Sequence, residues 1–264
     1  MRILFIGDIV GKPGRSLVMR AIPELRQREN LDLVIANAEN AAAGSGITAA
    51  IYRELIDSGV DCITLGDHIY RRAEIIPILE TKPNIIKPAN YPDNAPGRGW
   101  TTVQTTQGVS VAVISLMGRV FMKPVDCPWK AIDRVLAEIP ETIRVRIVDF
   151  HAEATSDKQL MGRYLDGKVT AVLGTHTHVP PADECIFPGG TAFQCDVGMT
   201  GPYDSILGRR IDRVLETTLH FRPTPFDVAT EDVRVSGSII DTDATTGQAS
   251  GIRRLVVTQE DFPD

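Results

Sequence analysis

RILFIGD, residues 2–8, decides the fold. Ile3, Leu4, Phe5 and Ile6 form an unbroken apolar run, the signature of a strand buried on both faces. The run stops at a glycine and a carboxylate. The pattern recurs along the chain. Residues 33–36 are followed by Ala38-Glu39-Asn40, and residues 62–65 by Gly66-Asp67-His68. Residues 145–148 lead to Phe150-His151-Ala152-Glu153, and residues 169–173 to Gly174-Thr175-His176-Thr177-His178. Strand ends in an α/β sheet converge in space however far apart they lie in sequence. Carboxylate, amide and imidazole groups meeting in one crevice can hold a pair of divalent metals, and such a pair can cleave a phosphoester.

Helical patterns fill the gaps between these runs. Residues 15–28 place Leu17, Val18, Ala21, Ile22 and Leu25 on one face, with Pro23 as a point where the helix could split. Thr48 is placed to cap a helix through Ser58, which Gly59 ends. Residues 71–79, 129–139 and 209–219 read as further helices, and Ser156-Asp157-Lys158-Gln159 as a capping box opening another. Residues 101–105 and 109–116 read as a hairpin about Gln107-Gly108. The end of the chain is β-rich, with closing strands expected at 226–235, 237–242 and 252–258. The expectation is α/β: a single domain over residues 1–264, parallel βαβ units first and antiparallel strands last, with a two-sheet core and helices outside.

Composition narrows the function. Hydrophobic residues make up 43% of 264 residues, enough for a large core, and the net charge is −6. No basic tract appears, which disfavours duplex nucleic acid as a partner. The first apolar run is short and Asp8 interrupts it, unlike a signal peptide. No stretch reaches the roughly 18 uncharged apolar residues of a membrane span. Cys62, Cys127, Cys185 and Cys195 lack CxxC spacing. A cytoplasmic protein without a membrane partner is expected.

Taken singly, Asp8 reads equally as a turn carboxylate, Glu39 as a solvated loop residue, and His68 or His151 as a structural histidine. The small, glycine-containing stretch 41–46 favours close approach of backbone or ligand after Glu39-Asn40. His176-Thr177-His178 is the most specific local element, because residues i and i+2 of an extended segment face the same way. This mixed donor set without thiolates suits iron, manganese or zinc better than magnesium or calcium, and argues against a structural zinc site. Two such metals would lie roughly 3.5–4 Å apart.

In order, these residues resemble the calcineurin-like metallophosphoesterase superfamily, whose pattern is D-x-H, GD, GNH, H and GHxH. The chain is more similar still to the YmdB-like group of 2′,3′-cyclic-nucleotide 2′-phosphodiesterases. The stretches that carry the likeness are FIGDIVGKPGR (5–15), NAENAAAGSGIT (37–48), KPANYPDNAPGRG (87–99), SLMGRVFM (115–122), VDFHAEATSDK (148–158), VLGTHTHVPPADE (172–184) and DVGMTGPYDS (196–205). The resemblance implies a four-layer αββα sandwich of two mixed sheets. It implies that Asp8, Glu39, Asn40 and His178 hold one metal, and Glu39, Asp67, His151 and His176 the other. Glu39 then bridges, and His68 is the proton donor. Two departures stand out. Val10 occupies the place of the usual histidine, and Asp67 that of the usual asparagine, adding a negative charge.

The resemblance also implies the chemistry. A hydroxide bridging two ions, iron or manganese with zinc as a further candidate, attacks a cyclic nucleotide or related phosphodiester while His68 protonates the leaving oxygen. Opening at the 2′ oxygen leaves the 3′-phosphate. Asn90, Tyr91 and Arg119 lie in glycine- or proline-flanked loops and are candidate substrate contacts. A phosphomonoesterase or nucleotidase of the same fold, and a non-catalytic regulator binding metal and nucleotide, remain alternatives, and a homo-oligomer is left open. A dinucleotide-binding module fits poorly, because Gly7, Gly11 and Gly14 lack GxGxxG spacing.

Overall fold

The computed structural model describes residues 1–262. In chain order its elements are β1 (Arg2–Ile6), β2 (Asp8–Ile9), α1 (Gly11–Arg28), β3 (Leu33–Asn37), α2 (Ala49–Asp57), β4 (Cys62–Thr64), α3 (Ile76–Thr81) and β5 (Ile85–Ile86). They continue with β6 (Trp100–Gln104), β7 (Ser110–Met117), α4 (Pro128–Glu138), β8 (Val145–His151), α5 (Thr155–Tyr164), β9 (Ala171–Thr175), β10 (Cys185–Ile186) and β11 (Ala192–Gln194). The chain closes with β12 (Met199–Pro202), α6 (Ile211–His220), β13 (Val233–Thr242) and β14 (Ala249–Thr258).

Two mixed sheets result. One runs β2-β12-β13-β1-β3-β4-β5, with β14 also on β13; the other runs β10-β11-β9-β8-β7-β6. Within the first, β1, β3, β4 and β5 are parallel neighbours, and β13 lies antiparallel to β1 with Ile3 opposite Ile240. In the second, β7, β8, β9 and β11 are parallel and β6 and β10 are antiparallel edges. Alternation of side chains along each strand explains the layering. Ile3, Phe5, Leu33 and Ile35 pack across the seam on Val111, Val113, Ile147 and Leu173 of the other sheet. Leu4, Ile6, Val34 and Ala36 point the other way, onto Leu17, Ile22 and Leu25 of α1 and Leu55 of α2. Ile114, Val148 and Val172 meet Ile132 and Val135 of α4 and Met161 of α5. The architecture is therefore helix–sheet–sheet–helix, a four-layer αββα sandwich.

Several local expectations need correction. α1 is continuous through Pro23, because that residue lies on the solvent face, where water can satisfy the orphaned carbonyl one turn back. The helix expected over 71–79 is a 3₁₀ turn, Ala73–Ile75, followed by α3, with Pro77 beginning the new helix. α5 starts before Ser156 and has no side-chain cap. A capping box opens the last 3₁₀ turn instead, between Thr258 and Asp261. The two strands expected at 226–235 and 237–242 are one strand, β13. Gly237 does not interrupt it. A Cβ there would lie 2.3 Å from the Phe5 carbonyl oxygen, so glycine lets β13 close on β1.

Candidate metal centre

Each run ends where its sheet meets the other sheet's strand ends. Gly7 makes the turn out of β1, and its missing Cβ would have met the Gly198 carbonyl oxygen at 1.9 Å. Asp8 follows and is held in β2 by pairing with Met199. Glu39 and Asn40 leave β3, Asp67 and His68 leave β4, His151 ends β8, and His176 and His178 leave β9. Gly66 is required just past β4, since a Cβ would sit 2.2 Å from Cδ2 of His151.

The residues converge on Glu39, which is fully buried. Its Oε1 lies 3.2 Å from Nδ1 of His68 and 3.3 Å from Nε2 of His151. Its Oε2 accepts the His68 backbone N–H at 3.0 Å. Nε2 of His151 is 3.4 Å from Oδ1 of Asp67 and 3.0 Å from Nδ1 of His176. Donor atoms of Glu39, Asp67, His151 and His176 all fall within 4.8 Å of one another. Outside that group, Asp8 Oδ1 is 3.8 Å from Nε2 of His178 and 4.0 Å from Nδ1 of His151. Asn40 is adjacent, with its Nδ2 at 3.4 Å from Nε2 of His178 and its Oδ1 at 2.7 Å from Nδ1 of His68. An amide nitrogen does not ligate a cation, so Asn40 joins Asp8 and His178 as a ligand only after a half-turn of its amide.

These donors fit a cation. Oδ1 of Asp8 is a buried carboxylate oxygen with no hydrogen-bond partner, an arrangement that costs free energy unless positive charge faces it. Burial pushes the Asp8 carboxyl up, against the pull of His178 and His151. Burial opposes ionisation of Glu39 too, but His151 and His68 hold it well below the ordinary carboxylate range. Burial likewise opposes protonation of His151, yet Glu39, Asp67 and Asp8 raise it well above the ordinary value. His176 goes the other way, down to about 4, through burial and then the charge of His151. The field that keeps a proton on His151 would equally favour a cation there.

A layer of polar groups that the sequence reading did not select lies behind His151. Its Nδ1 is 2.8 Å from Oγ1 of Thr175, and that hydroxyl donates to Oδ1 of Asp149 at 2.7 Å. Oδ2 of Asp149 accepts from Nδ2 of Asn37 at 3.0 Å and from Oγ1 of Thr64 at 2.5 Å. Burial raises Asp149 to about 6 against these contacts. The layer sets the tautomer of His151 and leaves Nε2 facing the donor cluster. Thr175→Val keeps the shape but removes the link. It is expected to weaken metal affinity about 10- to 100-fold, measured by competition with a chelator, and wild-type affinity would show the layer to be irrelevant to the centre.

Other expectations change. His176 and His178 do not share a face of an extended strand. Their φ angles are +95° and +67°, and a winding loop, not strand alternation, aims both rings inward. His176 also meets a carboxylate the sequence reading passed over, with Nε2 at 3.2 Å from Oε2 of Glu153. Asn90 lies beneath the surface, away from the cavity over the cluster. It is fully buried, donating to the carbonyls of Met117 and Asp126 and accepting from the Met117 N–H. Arg119 is solvent-exposed and does not line the cavity over the cluster. Tyr91 lines a different cavity of about 450 Å³, with Lys87, Arg98 and Trp100. That cavity is the larger, but it lacks the donor cluster. The cavity over the centre, about 380 Å³, is walled by Glu39, Asn40, His68, His176 and His178, and by Arg209, which the sequence did not flag. The glycine loop 41–46 is indeed approached closely: a Cβ on Gly44 would meet the Arg209 guanidinium at 2.4 Å.

Known proteins are similar to this chain in sequence and fold. A protein of Bacillus subtilis named 2′,3′-cyclic-nucleotide 2′-phosphodiesterase is 45% identical over 260 residues, covering 98% of each chain. A putative phosphatase/phosphodiesterase of Mycoplasma pneumoniae is 30% identical over 270 residues, covering 99% of this chain and 94% of its own. Among solved structures, a hypothetical protein from Thermus thermophilus superposes with a TM-score of 0.92 at 41% identity, over 98% of this chain and 99% of its own. A phosphatase from Mycoplasma pneumoniae gives 0.91 at 29% identity, over 98% and 93%. The family model described as YmdB-like protein matches residues 4–255, from the first strand to the last. The two-sheet frame recurs in these solved structures, and this chain belongs to the YmdB-like family.

Proposed function

We propose that this chain is a metal-dependent phosphodiesterase that opens 2′,3′-cyclic nucleotides at the 2′ oxygen and leaves the 3′-phosphate, working as one domain in the cytoplasm. The supporting observation is Glu39, buried between two sets of donors: Asp8, Asn40 and His178 on one side, Asp67, His151 and His176 on the other. Two ions held by these sets, iron or manganese with zinc as a further candidate, would supply a water of lowered pKa and positive charge for the phosphoryl oxygens. The 45% identity to a protein named for this reaction supports the choice of substrate.

The chain's own residues supply positioning and a proton. The Glu39 carboxylate fixes the His68 ring at Nδ1. Nε2 of His68 is then the atom that delivers a proton to the departing oxygen. The ring is about a quarter exposed at the rim of the cavity, open to a leaving group. Asp67 holds Nε2 of His151 and lies 3.7 Å from Nε2 of His68. Lys123 donates to the Asp67 carbonyl at 2.8 Å, and its ammonium lies 3.9 Å from the carboxylate, offsetting part of the extra charge there.

Protein checked for bound metal by elemental analysis is expected to hydrolyse 2′,3′-cyclic AMP to 3′-AMP faster than it hydrolyses 3′,5′-cyclic AMP or a monoester. Faster turnover of the monoester would favour a phosphatase. Metal without turnover of any of the three would favour a binding protein.

A further inference from the structure

We infer that the apolar part of the cavity lining is a nucleobase subsite, formed by Ile206, Leu207 and Phe226, an inference that rests on the diesterase reading above. The cavity has two chemically distinct sides. Glu39, Asn40 and the histidines make one, while Ile206, Leu207, Val214 and Phe226 make the other. Ile206, Leu207 and Phe226 are 44, 52 and 45% exposed. Three large apolar side chains left half in water at the mouth of a charged site form a patch that needs an apolar partner. A cyclic nucleotide whose phosphate sits on the donors carries a flat, apolar-faced group on the same molecule.

The wall is held rigidly. Ile206 and Arg209 exchange backbone hydrogen bonds at 2.9 and 3.0 Å, and the Gly208 N–H donates to Oγ of Ser205 at 2.8 Å. Between them Leu207 adopts a left-handed backbone, φ +51°, which a branched residue avoids unless its surroundings impose it. That conformation turns an apolar side chain outward. The Arg209 guanidinium ties this wall to the other. It donates to the Ala43 carbonyl at 3.1 Å, to the Phe226 carbonyl at 2.8 Å and to the Gly44 carbonyl. Among the described residues it has no carboxylate within ion-pair distance, although Asp227 lies close enough to act on its charge. Arg209 is thus a positioning residue that fixes the span between the metal donors and the apolar wall.

The test compares adenosine 2′,3′-cyclic phosphate with methyl ribofuranoside 2′,3′-cyclic phosphate, which lacks the base. Wild-type protein is expected to show a KM about tenfold or more lower for the nucleotide, the scale of one stacked base, with similar kcat. Phe226→Ser and Leu207→Asn should each erase most of that preference, and Phe226→Trp should keep it. Asparagine tolerates the left-handed backbone, so the Leu207 variant removes the apolar surface without adding strain. Equal KM values in the wild type, or a preference that survives both substitutions, would overturn the subsite. Calorimetry with adenosine 3′-phosphate and methyl ribofuranoside 3-phosphate reads the wall without turnover. A binding preference lost in the variants, with neither cyclic substrate turned over, would uphold the wall and sink the diesterase reading. Turnover with flat binding would do the reverse.

Discussion

Glu39→Gln is expected to lower kcat/KM about 10²- to 10³-fold, the range for losing a preorganised electrostatic group at a reacting centre, and to reduce bound metal below two ions per chain. The substitution changes almost nothing in shape. It removes one negative charge from the point where the two donor sets meet. His151 at 3.3 Å, His68 at 3.2 Å and the Asn40 amide at 3.2 Å all direct N–H groups or ring nitrogens at Oε1. A neutral amide either turns its oxygen there and leaves these groups short of charge, or turns its NH₂ there and repels them. Elemental analysis beside a rate with 2′,3′-cyclic AMP reads both consequences. Full metal content with an unchanged rate would remove Glu39 from the centre of the proposal.

His68→Ala should behave differently. It is expected to keep the metal and to slow turnover of a substrate with a poor leaving group by about 10²- to 10⁴-fold, as general acids do. A p-nitrophenyl ester needs little protonation and should slow far less. The distinction follows from geometry, because the His68 ring lies at the rim, its closest contacts with the donors being at Nδ1. Comparing alkyl and p-nitrophenyl diesters tests it. Equal slowing of both would assign His68 to binding or to metal retention instead.

The strand ends were legible because buried parallel strands are written as apolar runs, and each run here stops on a residue that cannot be buried unpaired. What the runs could not show was backbone outside regular structure. The His176 and His178 rings point inward through positive φ angles, which no alternation rule anticipates. Two expected strands merge into β13, and Gly237, expected to open the second of them, allows the close approach to Phe5. Asn90 sat in a suggestive proline-flanked loop, yet its amide is used up on backbone. Asp149 was within reach: it lies two residues before His151 on the same face of β8, a charged group inside an apolar run. Arg209 carried no such signal. Its partners, Ala43, Gly44 and Phe226, offer only carbonyls, and a carbonyl leaves no trace in side-chain identity.

Asp8, Glu39, Asp67 and His68 belong to one sheet, and His151, His176 and His178 to the other. A cation bound among them is therefore a rivet through the sandwich. Without it, the acidic groups of the first sheet repel one another; with it, that repulsion is relieved and both sheets hold the same charge. Resistance to heat should then climb with the logarithm of free cation concentration, so that a melting curve serves as a gauge of cation loading.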